Sequence, residues 1–183
     1  CAELIVEAAH AAGVPSGALQ FVRTPDNEVG HALVTGSDAV IVTGSTETAK
    51  MFRRWRPDLP VLAETSGKNA LVITPHADID HAVDDLVKSA FGHAGQKCSA
   101  ASLAILVGGV ADDPRFRRQL ADAVKSLRIG WPTESGPNYG PTILPPEGTL
   151  IRALKQLDNG ESWLVEPKQL DNTGSLWSPG VRE

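Results

Sequence analysis

Cys98, in the segment FGHAGQKCSAAS over residues 91–102, is the side chain best suited to nucleophilic chemistry. It follows a long amphipathic stretch and a glycine break and precedes an apolar run, which puts it in a loop. A thiol in such a loop, beside Lys97 and free backbone N–H groups, can act as an activated nucleophile. An inert buried cysteine would show the same spacing. Cys1, on an apolar helical end, reads as the inert kind. His93 lies five residues before Cys98 and would suit a Cys–His hydrolase, but no third group stands by to orient the pair. His10, His31, His76 and His81 are scattered without metal-ligand spacing, so no metal site is expected.

Two further segments carry chemistry. In AETSGKNA, residues 63–70, Glu64 ends an apolar run before a glycine turn. A carboxylate there can serve as a general base if partly buried, or stand as an exposed strand-end acid. In VTGSTETAK, residues 42–50, an apolar strand runs into Gly44 and Ser45 and then a helix. Such a joint offers free N–H groups and a partial positive charge to a phosphate. Ser45 can equally be a helix cap. Neither the full dinucleotide fingerprint nor a P-loop is present.

The elements that would position these residues alternate. Apolar spacing predicts a helix up to about residue 12, a short strand over 18–22, a brief helix over 27–33 and a strand over 39–43. That AVIVT run is continuous, as in a strand buried on both faces. A helix over 47–55, strands over 61–63 and 71–73, and a helix over 79–91 with Asp78 as its cap follow. Next come a strand over 103–107, a helix opened by Pro114, a helix over 147–158 and a strand over 163–165. The Gly-, Ser- and Pro-rich residues 172–183 read as a tail. Alternating strands and helices predict an α/β fold with a mainly parallel sheet and flanking helices. Strands 71–73 and 103–107 should share a sheet, with Cys98 in the loop that follows the 79–91 helix.

Composition narrows the partners. Of 183 residues, 42% are hydrophobic and 21% charged, which suits a globular chain with a sizeable core. The formal net charge of −5 and the lack of a Lys/Arg-rich cluster argue against nucleic acid or an anionic membrane surface. No apolar run approaches a membrane span, no basic signal-peptide start opens the chain, and two cysteines make no disulfide framework. A cytoplasmic setting is the expectation.

The order VTGST, ETSGKN, GQKCS resembles the aldehyde dehydrogenase superfamily. Glu64 and Cys98 lie 34 positions apart, as that family's general base and nucleophile do. AAGVPSGALQFV resembles the helix–turn–strand before its cofactor loop, ADIDHAVDDLVKSAF the helix leading to its nucleophile, and YGPTI a downstream loop. The wording ETSGKNA and FGHAGQKCSAAS is similar to the glutamate-semialdehyde (pyrroline-5-carboxylate) dehydrogenase branch, found in bifunctional enzymes of proline catabolism.

The resemblance implies that Cys98 attacks the aldehyde, that Glu64 activates water against the thioester, and that Gly44 and Ser45 meet the pyrophosphate of NAD. It implies that Phe91 lines the aldehyde tunnel and that Ser99 bonds the substrate's carboxylate, unless that hydroxyl only satisfies local backbone. Residues 1–65 would be the second half of a nucleotide-binding domain and 66–183 part of the catalytic domain. The family's other cofactor and oxyanion contacts have no counterpart here, so the sequence resembles the middle of an enzyme. By themselves the 183 residues are expected not to oxidise aldehydes. FAD would belong only to a separate proline dehydrogenase barrel, to which nothing here corresponds. A small-molecule aldehyde is the implied partner, and a homo-oligomer is compatible with the resemblance. Another substrate branch, or a non-catalytic interaction module, is the alternative. Loosely held or self-associating ends, residues 1–13 and 172–183, are also expected.

Overall fold

The structure, a computed structural model, describes residues 1–23, 27–65 and 67–183, and for Asn27 the backbone only. Ser66 of the AETSGKNA segment thus lies outside the described residues. The chain forms two compact units, Cys1–Thr65 and Ser66–Glu183.

The first unit contains helix α1 (Ala2–Ala11), α2 (Asn27–Gly36), strand β1 (Val40–Gly44), α3 (Thr46–Trp55) and β2 (Val61–Thr65). The two strands pair in parallel, from Val40 opposite Val61 to Gly44 opposite Thr65. Helix α3 connects them and packs on them and on α2. Val34, Ala49 and Leu59 are buried. The Trp55 ring sits with its centroid 4.9 Å from that of His31 and 5.4 Å from that of Phe52. Arg56 Nη1 donates to the carbonyls of Thr35 and Ser37 at 3.2 and 2.7 Å, occupying acceptors that the end of α2 leaves open.

Two expectations fail in this unit. The AVIVT strand is not buried on both faces: Ile41 is 78% exposed and its register partner Leu62 66% exposed, while Val40 and Val42 are half-buried. Side chains alternate across a strand, and among the described residues α3 covers one face only. Residues 18–22 form no strand. A strand needs a ladder, and among the described residues β1 and β2 pair only with each other. The segment instead docks on α1, whose His10 Nε2 donates to the Leu19 carbonyl at 2.8 Å.

In the second unit, β3 (Asn69–Ile73), α4 (Ile79–Phe91) and β4 (Ala101–Leu106) form a parallel β–α–β arrangement, so the two expected strands do share a sheet. The Asp78 carboxylate accepts from the N–H groups of Asp80 and His81 at 3.0 and 3.2 Å, which starts α4 where the sequence predicts. Helix α5 (Pro114–Lys125) lies against α4, its first turn capped by Asp113. Ile73, Val83, Leu86, Val87, Phe116, Leu120 and Val124 interlock as the core. Burying each such side chain stabilises by about 1.5–3 kcal/mol.

Helix α6 (Gly148–Lys155) is shorter than the expected 147–158, because Gln156 turns to extended backbone. Strand β5 (Trp163–Val165) is not the last: β6 (Val181–Arg182) pairs with it antiparallel. Residues 172–183 are therefore no loose tail. Leu176 and Trp177 are buried, and the Asp171 carboxylate accepts from the amides of Gly174 and Leu176, both at 3.1 Å. A short side-chain acceptor that closes on its own backbone gives a polar stretch a fixed turn. No helix among the described residues is long and apolar enough to cross a membrane.

Candidate active site

In the first unit Gly44, Ser45 and Glu64 lie together at the carboxyl ends of the parallel strands, the edge where open α/β sheets bind ligands. Glu64 is exposed on β2, in register with Thr43 of β1. Ser45 does cap α3: its Oγ accepts from the Thr48 amide at 3.1 Å and lies 2.9 Å from Thr48 Oγ1. Capping and phosphate binding are compatible when Thr48 Oγ1 is the donor in that contact, which leaves the Ser45 hydroxyl proton to a ligand oxygen. Gly44 adopts no left-handed φ, and an added Cβ would meet no atom within 4 Å. The open face above it can admit a phosphate. Lys50 Nζ donates to Glu47 at 3.0 Å and holds that carboxyl below its usual range, offsetting the negative charge in the first turn of α3.

Cys98 belongs to the second unit, in the connection from α4 to β4. After Phe91 the chain reverses through three successive left-handed residues, His93 (φ 56°), Ala94 (φ 55°) and Gly95 (φ 70°). For a residue with a Cβ that conformation costs roughly 1–2 kcal/mol, and such strain concentrates at functional sites. Gly95 is required on two counts, because a Cβ there would also meet the Ala90 carbonyl at 3.0 Å. Beyond it the Ala100 amide donates to the Lys97 carbonyl at 3.1 Å, closing a tight turn over Cys98. The Asn69 side-chain amide, from the start of β3, donates to the carbonyls of Cys98 at 2.6 Å and Ala100 at 3.1 Å.

The thiol is exposed, and so is that of Cys1, which corrects the expectation that Cys1 is buried. Cys1 is the N-cap of α1 and makes no side-chain capping hydrogen bond. Cys98 faces a cleft of about 450 Å³ lined also by Asn69, Phe91, Lys68, Lys97 and Arg182. Its lining includes no carboxylate among the described residues. Phe91 is half-buried and meets the Tyr139 ring edge-on, centroids 6.4 Å apart. Burial pushes the Tyr139 phenol up, so it stays neutral beside that ring. Ser99 is exposed and outside the cleft lining, and His93 also stands outside it.

The sequence alone does not mark Asn69 and Gln96. Both stand inside the quoted segments, but their roles depend on which carbonyls the fold brings near them. The same holds for Lys68, while Arg182 belongs to β6, whose pairing with β5 no local pattern announces.

A model described as the aldehyde dehydrogenase family matches residues 1–180. The chain is 36% identical over 148 residues to 1-pyrroline-5-carboxylate dehydrogenase of Geobacillus kaustophilus, covering 75% of this chain and 28% of that protein. It is 32% identical over 188 residues to N-succinylglutamate 5-semialdehyde dehydrogenase of Erwinia tasmaniensis, covering 98% of this chain and 38% of that one. Among solved structures, proline utilization A (PutA) from Corynebacterium freiburgense superposes with a TM-score of 0.90 at 49% identity, over 100% of this chain and 19% of that chain. The chain thus spans well under half the length of each. The expected architecture stands: an aldehyde dehydrogenase-like α/β fold with parallel pairing, of which these residues are a part. Since the match runs almost from end to end, the chain belongs to the aldehyde dehydrogenase family.

Proposed function

We propose that these residues supply the nucleophile, the general base and part of the cofactor site of an NAD-dependent, cytoplasmic dehydrogenase acting on a semialdehyde that carries a carboxylate. The leading substrate is L-glutamate γ-semialdehyde, formed from 1-pyrroline-5-carboxylate in proline catabolism. One observation carries the reading: Cys98 follows the strained turn at 93–95 and faces a cleft whose charged lining residues, Lys68, Lys97 and Arg182, are all cationic, Arg182 being paired with Glu161 at 3.1 Å.

The chemistry follows from the residue types. The Cys98 thiolate attacks the aldehyde carbon, and the backbone N–H of Cys98 donates to the oxyanion that forms. NAD, when bound, supplies the two-electron oxidant. Oxidation leaves a thioester on Cys98, and a thiolate is a good leaving group from it. Glu64 takes a proton from the water that hydrolyses this thioester. Gly44 and Ser45 fit a pyrophosphate through the open face and the helix start described above. Phe91 packs against the aldehyde's carbon chain. Ser99, directly after the nucleophile, is the candidate for a hydrogen bond to the distal carboxylate, with Lys68 and Lys97 supplying the field that draws it in, since Arg182 is already paired with Glu161.

N-succinylglutamate 5-semialdehyde is the second reading. The relative named for it matches nearly the whole chain, and its substrate would be anionic too. A panel on the complete protein separates these. Glutamate γ-semialdehyde, its N-succinyl derivative and an uncharged aldehyde of equal length are compared by kcat/KM. Equal turnover of the uncharged aldehyde would remove the anionic-substrate reading.

A further inference from the structure

Gln96 joins two loops that stand 45 positions apart or more in the sequence. Its Nε2 donates to the Pro141 carbonyl at 3.2 Å and to the His93 carbonyl at 3.1 Å. Its Oε1 accepts from the Ile143 amide at 2.8 Å. Both ends of one side-chain amide are thereby committed to backbone, one to the strained turn before Cys98 and both to the 141–143 segment.

That segment is itself anchored. The Thr142 amide and hydroxyl both donate to the Ser175 carbonyl, at 2.9 and 3.0 Å. The Tyr139 amide donates to Arg128, and the Tyr139 carbonyl accepts from Gly130, each at 3.1 Å. Tyr139 also supports Phe91. The thiol turn is held from its far side by Asn69. Cys98 therefore lies between two amide side chains, Asn69 gripping the carbonyls at and after it and Gln96 gripping the approach to it.

We propose that Gln96 is a positioning residue, the link through which the anchored 139–143 loop fixes the direction of the Cys98 thiol. The inference rests on the reading of Cys98 as the nucleophile. A glutamine is required because no other side chain of that length both donates and accepts. Glutamate would set a carboxylate against two carbonyl oxygens, and methionine would fill the space without any bond. Positioning matters because a displacement of about 1 Å at a reacting atom costs on the order of 100-fold in rate.

The test uses the full chain as wild type, Gln96→Met and Gln96→Glu, with hydrogen exchange and competitive labelling by iodoacetate and iodoacetamide. In Gln96→Met, exchange at Ile143 and across residues 97–100 should rise together by about tenfold or more, with α4 and α5 unchanged. The preference of Cys98 for the anionic reagent should fall about threefold as the thiol leaves its cationic surroundings. Gln96→Glu should restore protection at Ile143, whose amide its carboxylate can still accept, but not across residues 97–100. Unchanged exchange across 97–100 and an unchanged reagent preference in both variants would overturn the proposal. If wild-type Cys98 resists both reagents while the coupled exchange holds, the nucleophile reading falls and the positioning role of Gln96 stands.

Discussion

The side-chain amide of Asn69, at the first position of β3, lies 2.6 Å from the carbonyl oxygen of Cys98 and 3.1 Å from that of Ala100. One residue at a strand start thus ties the sheet of the second unit to the turn that presents the thiol. Asn69→Ala is expected to lower the stability of this unit by about 0.5–1.5 kcal/mol, the net worth of a typical hydrogen bond, since the Cys98 carbonyl is exposed and the Ala100 one only part-buried. Asn69→Asp should cost more, because a carboxylate would face two carbonyls. Thermal melts of the three proteins check the order wild type, Ala, Asp.

The cationic cleft makes a prediction about reagents. Cys98 should react with iodoacetate faster, relative to iodoacetamide, than it does when Lys68 and Lys97 are both replaced by glutamine. The ratio should fall a few-fold in that variant and also as salt is raised, since exposed charges are screened beyond a Debye length of roughly 10 Å at 0.1 M. Peptide mass spectrometry reports Cys98 and Cys1 separately. A ratio indifferent to both changes would mean that the cations do not act on the thiol.

Gly44→Ala separates fold from binding. Gly44 takes no left-handed conformation, and the added methyl meets no atom within 4 Å. Its melting behaviour should stay within about 0.5 kcal/mol of wild type, as for an unhindered surface change. The methyl would stand where the cofactor's phosphate is proposed to sit, so NAD affinity of the complete protein should drop by about tenfold, or 1.4 kcal/mol. Calorimetry with NAD would show either that drop or an unchanged affinity, and the latter would move the phosphate elsewhere.

Acid should loosen the joint between α4 and α5. Asp80 accepts from Gln119 Nε2 at 2.7 Å and from Arg115 Nη2 at 2.8 Å, and these bonds, the Gln119 one first, hold its carboxyl below the usual value of 3.8. A depressed carboxylate stabilises the fold fully above its unfolded value and loses that contribution as pH falls through its folded one. The loss therefore lies below about pH 4. Asp80→Asn should flatten the acid limb of a stability–pH curve while changing little near neutrality. An identical acid limb in both proteins would assign it to other groups.

Much of this arrangement was readable from local signals. Asp78 followed by apolar residues at helical spacing located α4, and the glycine break after Phe91 located the loop that carries Cys98. Strand 71–73 and its partner near 103–107 could be paired because a helix of fitting length separates them. Other features are not local. The face of AVIVT left open at Ile41 depends on what covers the sheet, which a five-residue pattern does not encode. The turn at Asp171 and the pairing of Val181–Arg182 with β5 gave a Gly- and Ser-rich stretch a fixed place through specific acceptors. Gln96 looked like one more polar residue in a loop, since its partners lie at Pro141 and Ile143.

The central claim is that Cys98 carries the acyl group and Glu64 clears it. The most direct measurement is peptide mass spectrometry of the complete protein bearing Glu64→Gln, quenched in acid after mixing with NAD and glutamate γ-semialdehyde. The account predicts a glutamyl thioester on the Cys98 peptide, a burst of reduced cofactor that matches it, and slow turnover afterwards, with no adduct and no burst in Cys98→Ser. Steady turnover by Cys98→Ser, or an acyl adduct at any residue other than Cys98, would contradict it.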